Sequence, residues 1–129
     1  MNGTTFDDCV CRAVPAGLEG LPDHKGIDRI QRLVPEGFPI HLAIHHVKAG
    51  EDPNRVIYSA PHTHLEWDEI NVLISSSELV YAITIGDEAR EVAAPATIWI
   101  PSGVEHAANL VSGEGFFLCI RIDKKPGRD

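Results

Sequence analysis

The amino-acid sequence predicts an all-β domain, an antiparallel sandwich or barrel of short strands. Three observations lead to this prediction. After Pro39, apolar and polar residues alternate with a period of two through most of the chain, as in half-buried strands. Eleven glycines and nine prolines are scattered between these stretches and supply many turns. The length of 129 residues fits one domain, because domains usually hold about 100–200 residues.

Residues 1–39, the first third of the chain, are predicted to form an arm and edge segment. Six glycines and prolines interrupt residues 1–26 and indicate an irregular course. Between Gly26 and Val34, apolar residues recur at helical spacing and Pro35 ends the run, which favours a short helix. A strand is the alternative, because a run of nine residues barely defines a period.

The barrel is expected over residues 40–122 and is built from about eight short strands. Their predicted extents are 40–45, 56–58, 70–74, 79–85, 90–92, 97–100, 106–111 and 116–122. Turns are predicted where Gly, Ser, Asp or Asn cluster, at 50–54, 75–77, 86–87 and 112–115. No internal repeat is evident, so residues 1–129 are interpreted as one domain.

Charge and hydropathy argue against nucleic-acid and membrane partners. The formal net charge is −8 and only 11 residues are Lys or Arg, whereas a nucleic-acid surface needs concentrated positive charge. The longest apolar runs, Leu79–Ile83 and Phe116–Ile120, are too short to span a bilayer, and no signal peptide is visible. Three cysteines make an odd count without zinc-site spacing, so we expect reduced thiols and a cytoplasmic protein.

Two polar clusters carry residue types that suit a metal site. In an extended chain His62 and His64 point to the same side, so both imidazoles can approach one cation. A carboxylate five residues past His64, that of Glu69, can return to the same point if the chain bends into the next strand. In the second cluster a turn around Gly103 precedes His106, which begins a strand. Neutral imidazole and carboxylate form a mixed ligand set that suits Fe(II), Mn(II), Ni(II), Co(II) or Zn(II).

These clusters resemble the two motifs of the cupin superfamily. The first cupin motif contains His-x-His, three or four spacer residues and then Glu, which residues 62–69 match. The second contains Pro-x-Gly-x-x-His followed closely by Asn; residues 101–106 match it throughout, and Asn109 follows one residue early. Two glycines of the family pattern are replaced, by Val56 and Ser76, which affects the loops more than the ligands. The resemblance covers over half of the chain.

The resemblance implies a double-stranded β-helix, the small jelly-roll barrel of cupins, with an irregular N-terminal arm. It also implies one divalent metal ion with positions left open for water or substrate. The implied ligands are His62, His64, Glu69 and His106. Fe(II) is the first choice, and Mn, Ni, Co or Zn are the alternatives. Glu66 and Asp68 stay open as alternatives to Glu69, because they lie in the same cluster.

Further residues are candidates for lining a pocket beside the metal. They are Tyr58, Trp67, Asn71, Trp99, Asn109 and Arg121. An inward Arg121 would need a partner, for example a substrate carboxylate, so outward exposure is expected. Cys119 is interpreted as a core residue and not as a nucleophile. His41 and His45 share a strand face opposite to that of His46. Exposed or edge positions are expected for all three, and the alternative is that one of them lines the barrel near the metal.

The reaction stays open, because one fold hosts many activities. Cupins include dioxygenases, isomerases, epimerases, lyases, polyketide cyclases, sugar-binding sensors and storage proteins. A complete ligand set on one short domain favours a metal-dependent enzyme acting on a small organic molecule, with Fe(II) dioxygenase-type chemistry placed first. A non-redox lyase, isomerase or cyclase and a non-catalytic small-molecule-binding cupin are the alternatives. A homodimer is expected, because short barrels leave sheet edges that invite pairing.

Overall fold

The computed structural model describes residues 5–18, 30–49 and 58–123, and it confirms the all-β class. Within these ranges one four-residue helix, α1 (Phe6–Cys9), precedes eight strands. The strands are β1 (Ala13–Pro15), β2 (Ile30–Pro35), β3 (His41–Lys48), β4 (Trp67–Ile74), β5 (Leu79–Ile85), β6 (Glu88–Ala93), β7 (Ala96–Ile100) and β8 (His106–Asp123). The predicted turn at 50–54 and most of the predicted strand 56–58 lie outside the described residues. No helix in the described part of the chain is long and apolar enough to cross a membrane.

Two antiparallel sheets share the longest strand, β8. The larger sheet has the strand order β1-β2-β3-β8-β4-β7, and the smaller one has the order β6-β5-β8. The first half of β8 pairs with β5, and its second half lies between β3 and β4. Tyr81 of β5 stacks on Phe117 in the second half of β8, with ring centroids 4.6 Å apart, so the two sheets enclose a common interior. This arrangement is the predicted jelly-roll barrel.

The course of β8 shows that the turn predicted at 112–115 is wrong. The strand runs through these residues without a break, and its pairing with β5 shifts by one residue at Val111, just before them, which is a β-bulge. Gly113 has a φ of +87°, and a Cβ at this position would collide with the backbone of Glu78. Glycine and serine look like turn residues in the sequence, but here glycine lets one long strand bend from the first sheet into the second.

The helix predicted for Gly26–Val34 is also wrong over its described part, because residues 30–35 form β2. β2 pairs with β1 on one side and with β3 on the other. Hydrogen bonds to two neighbouring strands outweigh a helical pattern this short, since an isolated helix of such length is not stable by itself. The pairing turns Arg32 to the same side as His45, its direct partner on β3.

The described part of the N-terminal arm holds two short elements that the sequence pattern did not predict. α1 begins at a capping box: the Asp8 backbone N–H donates to the Thr5 hydroxyl over 3.3 Å, and the Thr5 backbone N–H donates to the Asp8 carboxylate over 3.0 Å. β1 pairs Val14 with Val34 of β2. This part of the arm therefore supplies an edge strand of the larger sheet.

The interior of the barrel is apolar at one end and polar at the other. The buried apolar residues are Leu18, Ile30, Val47, Tyr58, Leu73, Leu79, Tyr81, Ile83, Leu110 and Phe117. On β4 the interior face continues from Leu73 to Asn71 and Glu69, and on β8 the same face ends at Arg121. The strands thus carry a packed core at one end and present polar side chains at the other, where the candidate site lies.

Candidate metal centre

The two sequence motifs meet through direct backbone pairing. His62 and His106 form an antiparallel bridge, in which each backbone N–H donates to the carbonyl oxygen of the other over 3.0 and 2.9 Å. The carbonyl oxygen of His64 accepts a hydrogen bond from the Gly103 N–H over 2.7 Å. Gly103 has a φ of +87°, a conformation that glycine adopts without strain. The turn of the second motif is therefore held against the first, and this contact brings the histidines together.

Backbone carbonyls orient two of the three imidazoles. Nδ1 of His62 lies 2.7 Å from the carbonyl oxygen of Ala60, and Nδ1 of His106 lies 2.9 Å from that of Val104. A carbonyl can only accept, so each Nδ1 carries the hydrogen and donates it. In a neutral imidazole this leaves the lone pair on Nε2, the nitrogen that would bind a metal.

The Glu69 carboxylate faces the same point as the imidazoles. Its Oε1 lies 3.4 Å from Nε2 of His64 and 3.5 Å from Nε2 of His106. Both nitrogens are buried and have no hydrogen-bond partner. The second carboxylate oxygen, Oε2, accepts a hydrogen bond of 3.0 Å from the Asn71 side chain, which fixes the orientation of the group.

These residues fit a divalent cation. One ligand atom from each of His62, His64 and His106 lies within 4.8 Å of the other two. Ligand atoms that each bind a metal at about 2.1 Å lie about 3–3.5 Å apart, which matches the separations between the Glu69 oxygen and two of the imidazole nitrogens. The set of nitrogen and oxygen donors suits a transition-metal ion of intermediate softness. The structure therefore brings together all four residues that the motifs implied as ligands.

The two alternative carboxylates point elsewhere. Asp68 accepts a hydrogen bond of 2.9 Å from the Ser102 N–H and one of 3.3 Å from Nε1 of Trp99, so it holds the loop of the second motif. Glu66 is exposed before the start of β4. Because successive residues of a strand alternate between its faces, Glu69 turns inward where Asp68 turns outward. Of the three carboxylates, Glu69 is the one beside the imidazoles.

Burial and charge set the protonation states of the cluster. Burial and the Arg121 guanidinium lower the pKa of His64 to about 4, so this imidazole is neutral at pH 7. Burial acts to raise the pKa of Glu69, but the neighbouring His106 imidazole and Asn71 amide outweigh it and lower the pKa to about 2. Burial acts to lower the pKa of His106, but its contact with Glu69 outweighs burial and raises it. A positive charge is therefore favoured beside the Glu69 carboxylate, as a proton or as a metal ion.

A cavity opens beside the cluster, and strands β2, β3 and β8 form much of its wall. Its lining residues are Arg32, His41, Ala43, His45, Tyr58, Ser59, His62, Glu69, His106, Ala108, Phe117, Cys119 and Arg121. The prediction that Arg121 points outward is wrong, because its guanidinium faces this cavity and lies 4.7 Å from the ring centroid of Trp67. Cys119 packs against the core, and burial raises the pKa of its thiol, in agreement with a core role.

Four of the six predicted pocket residues do not line the cavity: Trp67, which lies against the Arg121 guanidinium, and Asn71, Asn109 and Trp99. Asn71 is buried and orients Glu69. Asn109 is buried and holds the backbone of residues 58 and 59, since its Oδ1 accepts from both N–H groups over 2.8 and 2.9 Å. Trp99 is 55% exposed on the outer side of the larger sheet. Tyr58 itself lines the cavity, and its hydroxyl lies 3.1 Å from that of Tyr81.

The sequence interpretation placed two of the three nearby histidines wrongly and missed one arginine. His41 and His45 face the cavity, whereas exposed or edge positions were expected. His46 is exposed as expected and stacks on Phe116, with ring centroids 4.8 Å apart. Arg32, which the sequence interpretation did not consider, is 9% exposed and lines the cavity. A strand interpretation of residues 30–35 would have revealed it, because it places a charged residue on the interior face.

Comparison with known proteins shows the fold. No protein-family model matches the chain, and the search of curated proteins finds no match. The structure of a predicted oxalate decarboxylase from Thermotoga maritima aligns with a TM-score of 0.60 and 14% identity, over 88% of this chain and 94% of that one. KdgF from Halomonas sp. aligns with a TM-score of 0.57 and 15% identity, over 81% and 88% of the two chains. An RmlC-like cupin from Shewanella frigidimarina aligns with a TM-score of 0.56 and 9% identity, over 98% and 95%.

The fold of the chain is that of the cupin superfamily. The fold that the resemblance of residues 62–69 and 101–106 implied is thereby confirmed, and the two motifs meet at one site. One fold hosts many reactions, so the activity of this chain has to be argued from its own site.

Proposed function

We propose that this protein is a metal-dependent enzyme that acts on a small organic molecule bound in the cavity. One observation carries the proposal: three imidazoles and one carboxylate converge on a single point beside the cavity, and buried Nε2 atoms of His64 and His106 have no hydrogen-bond partner. Buried polar atoms without partners cost free energy, so stability alone is a poor explanation for this cluster. A bound cation would satisfy all four groups at once.

Fe(II) is the metal that we place first in this proposal, ahead of Mn, Ni, Co and Zn. Three imidazoles and one carboxylate would leave two positions of an octahedral shell for a substrate, or for a substrate oxygen and O₂. When bound, such a metal supplies redox chemistry with O₂, whereas a non-redox metal polarises a substrate oxygen. Dioxygenase-type chemistry is therefore the first form of the proposal, and a lyase, isomerase or cyclase is the second.

The side chains of the protein would hold and orient the reactants. Asn71 holds the Glu69 carboxylate in place over 3.0 Å. Burial and the Arg121 charge lower the pKa of His41 to about 4, so it offers the substrate a neutral imidazole that can donate or accept a hydrogen bond. Phe117 supplies an apolar wall that excludes water from one side of the cavity. Asn109 fixes the backbone of the segment that carries Tyr58, although it does not line the cavity itself.

Metal analysis and product analysis test the proposal. The protein is purified without a His-tag, its metal content is measured, and the iron form is incubated with small molecules that raise its melting temperature, with and without O₂. Product that appears only with O₂ supports the dioxygenase form, and product under both atmospheres supports the lyase, isomerase or cyclase form. Binding without product under both atmospheres overturns the enzyme proposal in favour of a non-catalytic binding protein. Absence of stoichiometric metal overturns the proposal altogether.

We also propose that the chain forms a homodimer. Apolar side chains stay exposed on the outer side of the larger sheet: Trp99 at 55%, Ile74 at 48%, Phe116 at 41% and Ile122 at 37%. An apolar patch of this kind is typical of a protein interface, and a second copy of the same face is complementary to it in hydrophobicity. The partners in the proposal are thus a small molecule and a second copy of the chain.

Cys9, Cys11 and Cys119 form no disulfide, and a cytoplasmic location stays a prediction.

A further inference from the structure

Two arginines face the cavity. Arg32 is 9% exposed, and Arg121 lies on the neighbouring part of the same interior wall. Nε of each guanidinium is buried and has no hydrogen-bond partner. In the part of the chain that the structure describes, neither arginine forms an ion pair. Removing a guanidinium from water is costly unless a partner offsets it, so one buried and one partly buried arginine on the same wall need an explanation.

The carboxylate of Glu69 does not neutralise these arginines. It is the only carboxylate among the described residues that line the cavity, and its two oxygens face His64, His106 and Asn71. A divalent metal beside Glu69 would add two further positive charges to the same cavity. The protein as a whole has a net charge of −8, so the local excess of positive charge runs against its overall composition. Such a cavity attracts an anion.

The surroundings of the two guanidiniums keep them directed at the cavity. The Arg121 guanidinium carbon lies 4.7 Å from the ring centroid of Trp67, a contact that fixes the plane of the group. Arg32 is directly opposite His45 on the adjacent strand, and both residues line the cavity. Burial lowers the pKa of Arg32, and repulsion from the positive charge of Arg121 acts in the same direction. A shared anion would relieve this repulsion.

We propose that the cavity binds a small organic acid, whose carboxylate or phosphate group lies against Arg32 and Arg121 while a neighbouring oxygen of the same molecule reaches the metal. Guanidinium groups bind planar or tetrahedral oxyanions through charge-assisted hydrogen bonds. Glu69 and Arg121 are direct partners on β4 and β8, so the anion site and the metal site are adjacent. The inference deepens the proposed function and rests on it: it names the class of substrate for the same site.

Three probes of similar size test the proposal on the zinc-loaded protein, which cannot turn over with O₂. They are glycolate, hydroxymethylphosphonate and ethylene glycol, which share a hydroxymethyl group and differ in carrying a carboxylate, a phosphonate or a neutral alcohol. We expect calorimetry to show binding of at least one anion and none of ethylene glycol at the same concentration. The anion that binds identifies the group that the arginines recognise. Binding of neither anion overturns the inference.

Arginine variants show whether these side chains hold the anion. Arg32→Met and Arg121→Met should each weaken anion binding roughly 10- to 100-fold, because each removes a charge-assisted hydrogen bond in a buried site. Arg90→Met is the matched control, since Arg90 is exposed on β6 and contacts Glu88. Arg32→Lys should recover part of the affinity, because it keeps the charge but not the paired donors. Unchanged anion affinity in both methionine variants overturns the inference.

A second measurement separates ligand binding from a structural role. Removing a buried cation that forms no ion pair with the described residues should leave the melting temperature of the anion-free protein unchanged or raise it. If Arg32 serves only the fold, Arg32→Met instead lowers the melting temperature and leaves the anion affinity of the folded fraction intact, which counts against the inference.

Metal content, measured on the same samples, distinguishes the two proposals. Stoichiometric metal without anion binding overturns the organic-acid inference and leaves the metal-dependent enzyme standing. Anion binding that depends on both arginines in a protein that holds no metal overturns the proposed function and leaves the anion site standing.

Discussion

The two faces of the larger sheet differ in a way that reverses the usual pattern of a β-barrel. Toward the polar end, the interior face carries His41, Arg121 and Glu69 side by side on β3, β8 and β4. The outer face, one residue away on each strand, carries Leu42, Ile120 and Ile70. A sheet that only had to pack a core would place the apolar row inside and the polar row outside. The reversal agrees with the two proposals, a ligand site on the inner face and a dimer contact on the outer one.

The inner face itself divides into two regions with different tasks. At the apolar end, Val47, Leu73 and Phe117 are buried at 0–4% exposure and pack into the core. At the polar end, the same strands hold charged groups that cost free energy to bury. The packed region supplies stability that the functional region does not, so the polar cluster can be optimised for binding.

The largest effect is expected from removing a candidate ligand on the inner side. His106→Ala should lower metal affinity by at least about 100-fold, more than the roughly 10- to 100-fold typical of residues behind the ligands, and abolish activity. The strand pairing does not depend on this imidazole, so the far-ultraviolet circular dichroism spectrum should stay that of a β protein. His46→Ala on the outer face is the matched control. Full metal content in His106→Ala, measured by elemental analysis, would contradict the metal site.

The next effect compares two neighbouring residues of β4 that face opposite ways. Leu73 is 0% exposed and Ile74 is 48% exposed. Leu73→Ala should lower the free energy of unfolding by about 3 kcal/mol, because it leaves a cavity in the core. Ile74→Ala should cost less than about 1 kcal/mol at concentrations where the chain is monomeric. Urea unfolding of both variants measures the difference, and equal losses would mean that the outer face is packed in the isolated chain.

The third effect concerns the outer face. Phe116 is 41% exposed beside Ile74, its direct partner on β4. Phe116→Lys should shift the proposed homodimer to a monomer, because it places a charge within an apolar interface, while the melting temperature of the dilute protein changes little. Light scattering at micromolar concentration measures the mass. A monomeric mass for the unchanged protein would refute the homodimer itself.

The smallest effect is the pH dependence of the metal-free protein. The pKa values of His41 and His64 are both lowered to about 4, mainly by burial, from the usual 6.5. In the unfolded chain these histidines take up protons as pH falls below about 6.5, whereas in the folded chain they stay neutral until about pH 4. The unfolded state then binds more protons, so the melting temperature should fall as pH is lowered from 6.5 to 4. His41→Gln should weaken this dependence of the melting temperature on pH. An unchanged dependence would contradict the lowered pKa of His41.

Local signals in the sequence were enough for the fold class and the metal cluster. Residues 70–74 and 79–85 alternate over enough positions to define strands, and Gly86 provides the turn between β5 and β6, with a φ of +63°. His62, His64, Glu69 and His106 lie in short motifs whose spacing is itself the signal. By contrast, residues 112–115 were interpreted as a turn, because a glycine that bends a strand and a glycine that ends one look alike in sequence.

Alternating strands and two motifs with metal-ligand spacing are visible in the amino-acid sequence alone. Which side of each strand faces the interior is not, and it follows from the pairing of the strands. Alternation separates two faces but does not say which one is covered, because that depends on pairing with strands far away in sequence. Arg32 became a cavity residue when β2 paired with β3, and Arg121 turned inward with Glu69 through the pairing of β8 with β4. The positive charge of the cavity therefore depends on the strand register, and it cannot be inferred from any single segment of the sequence.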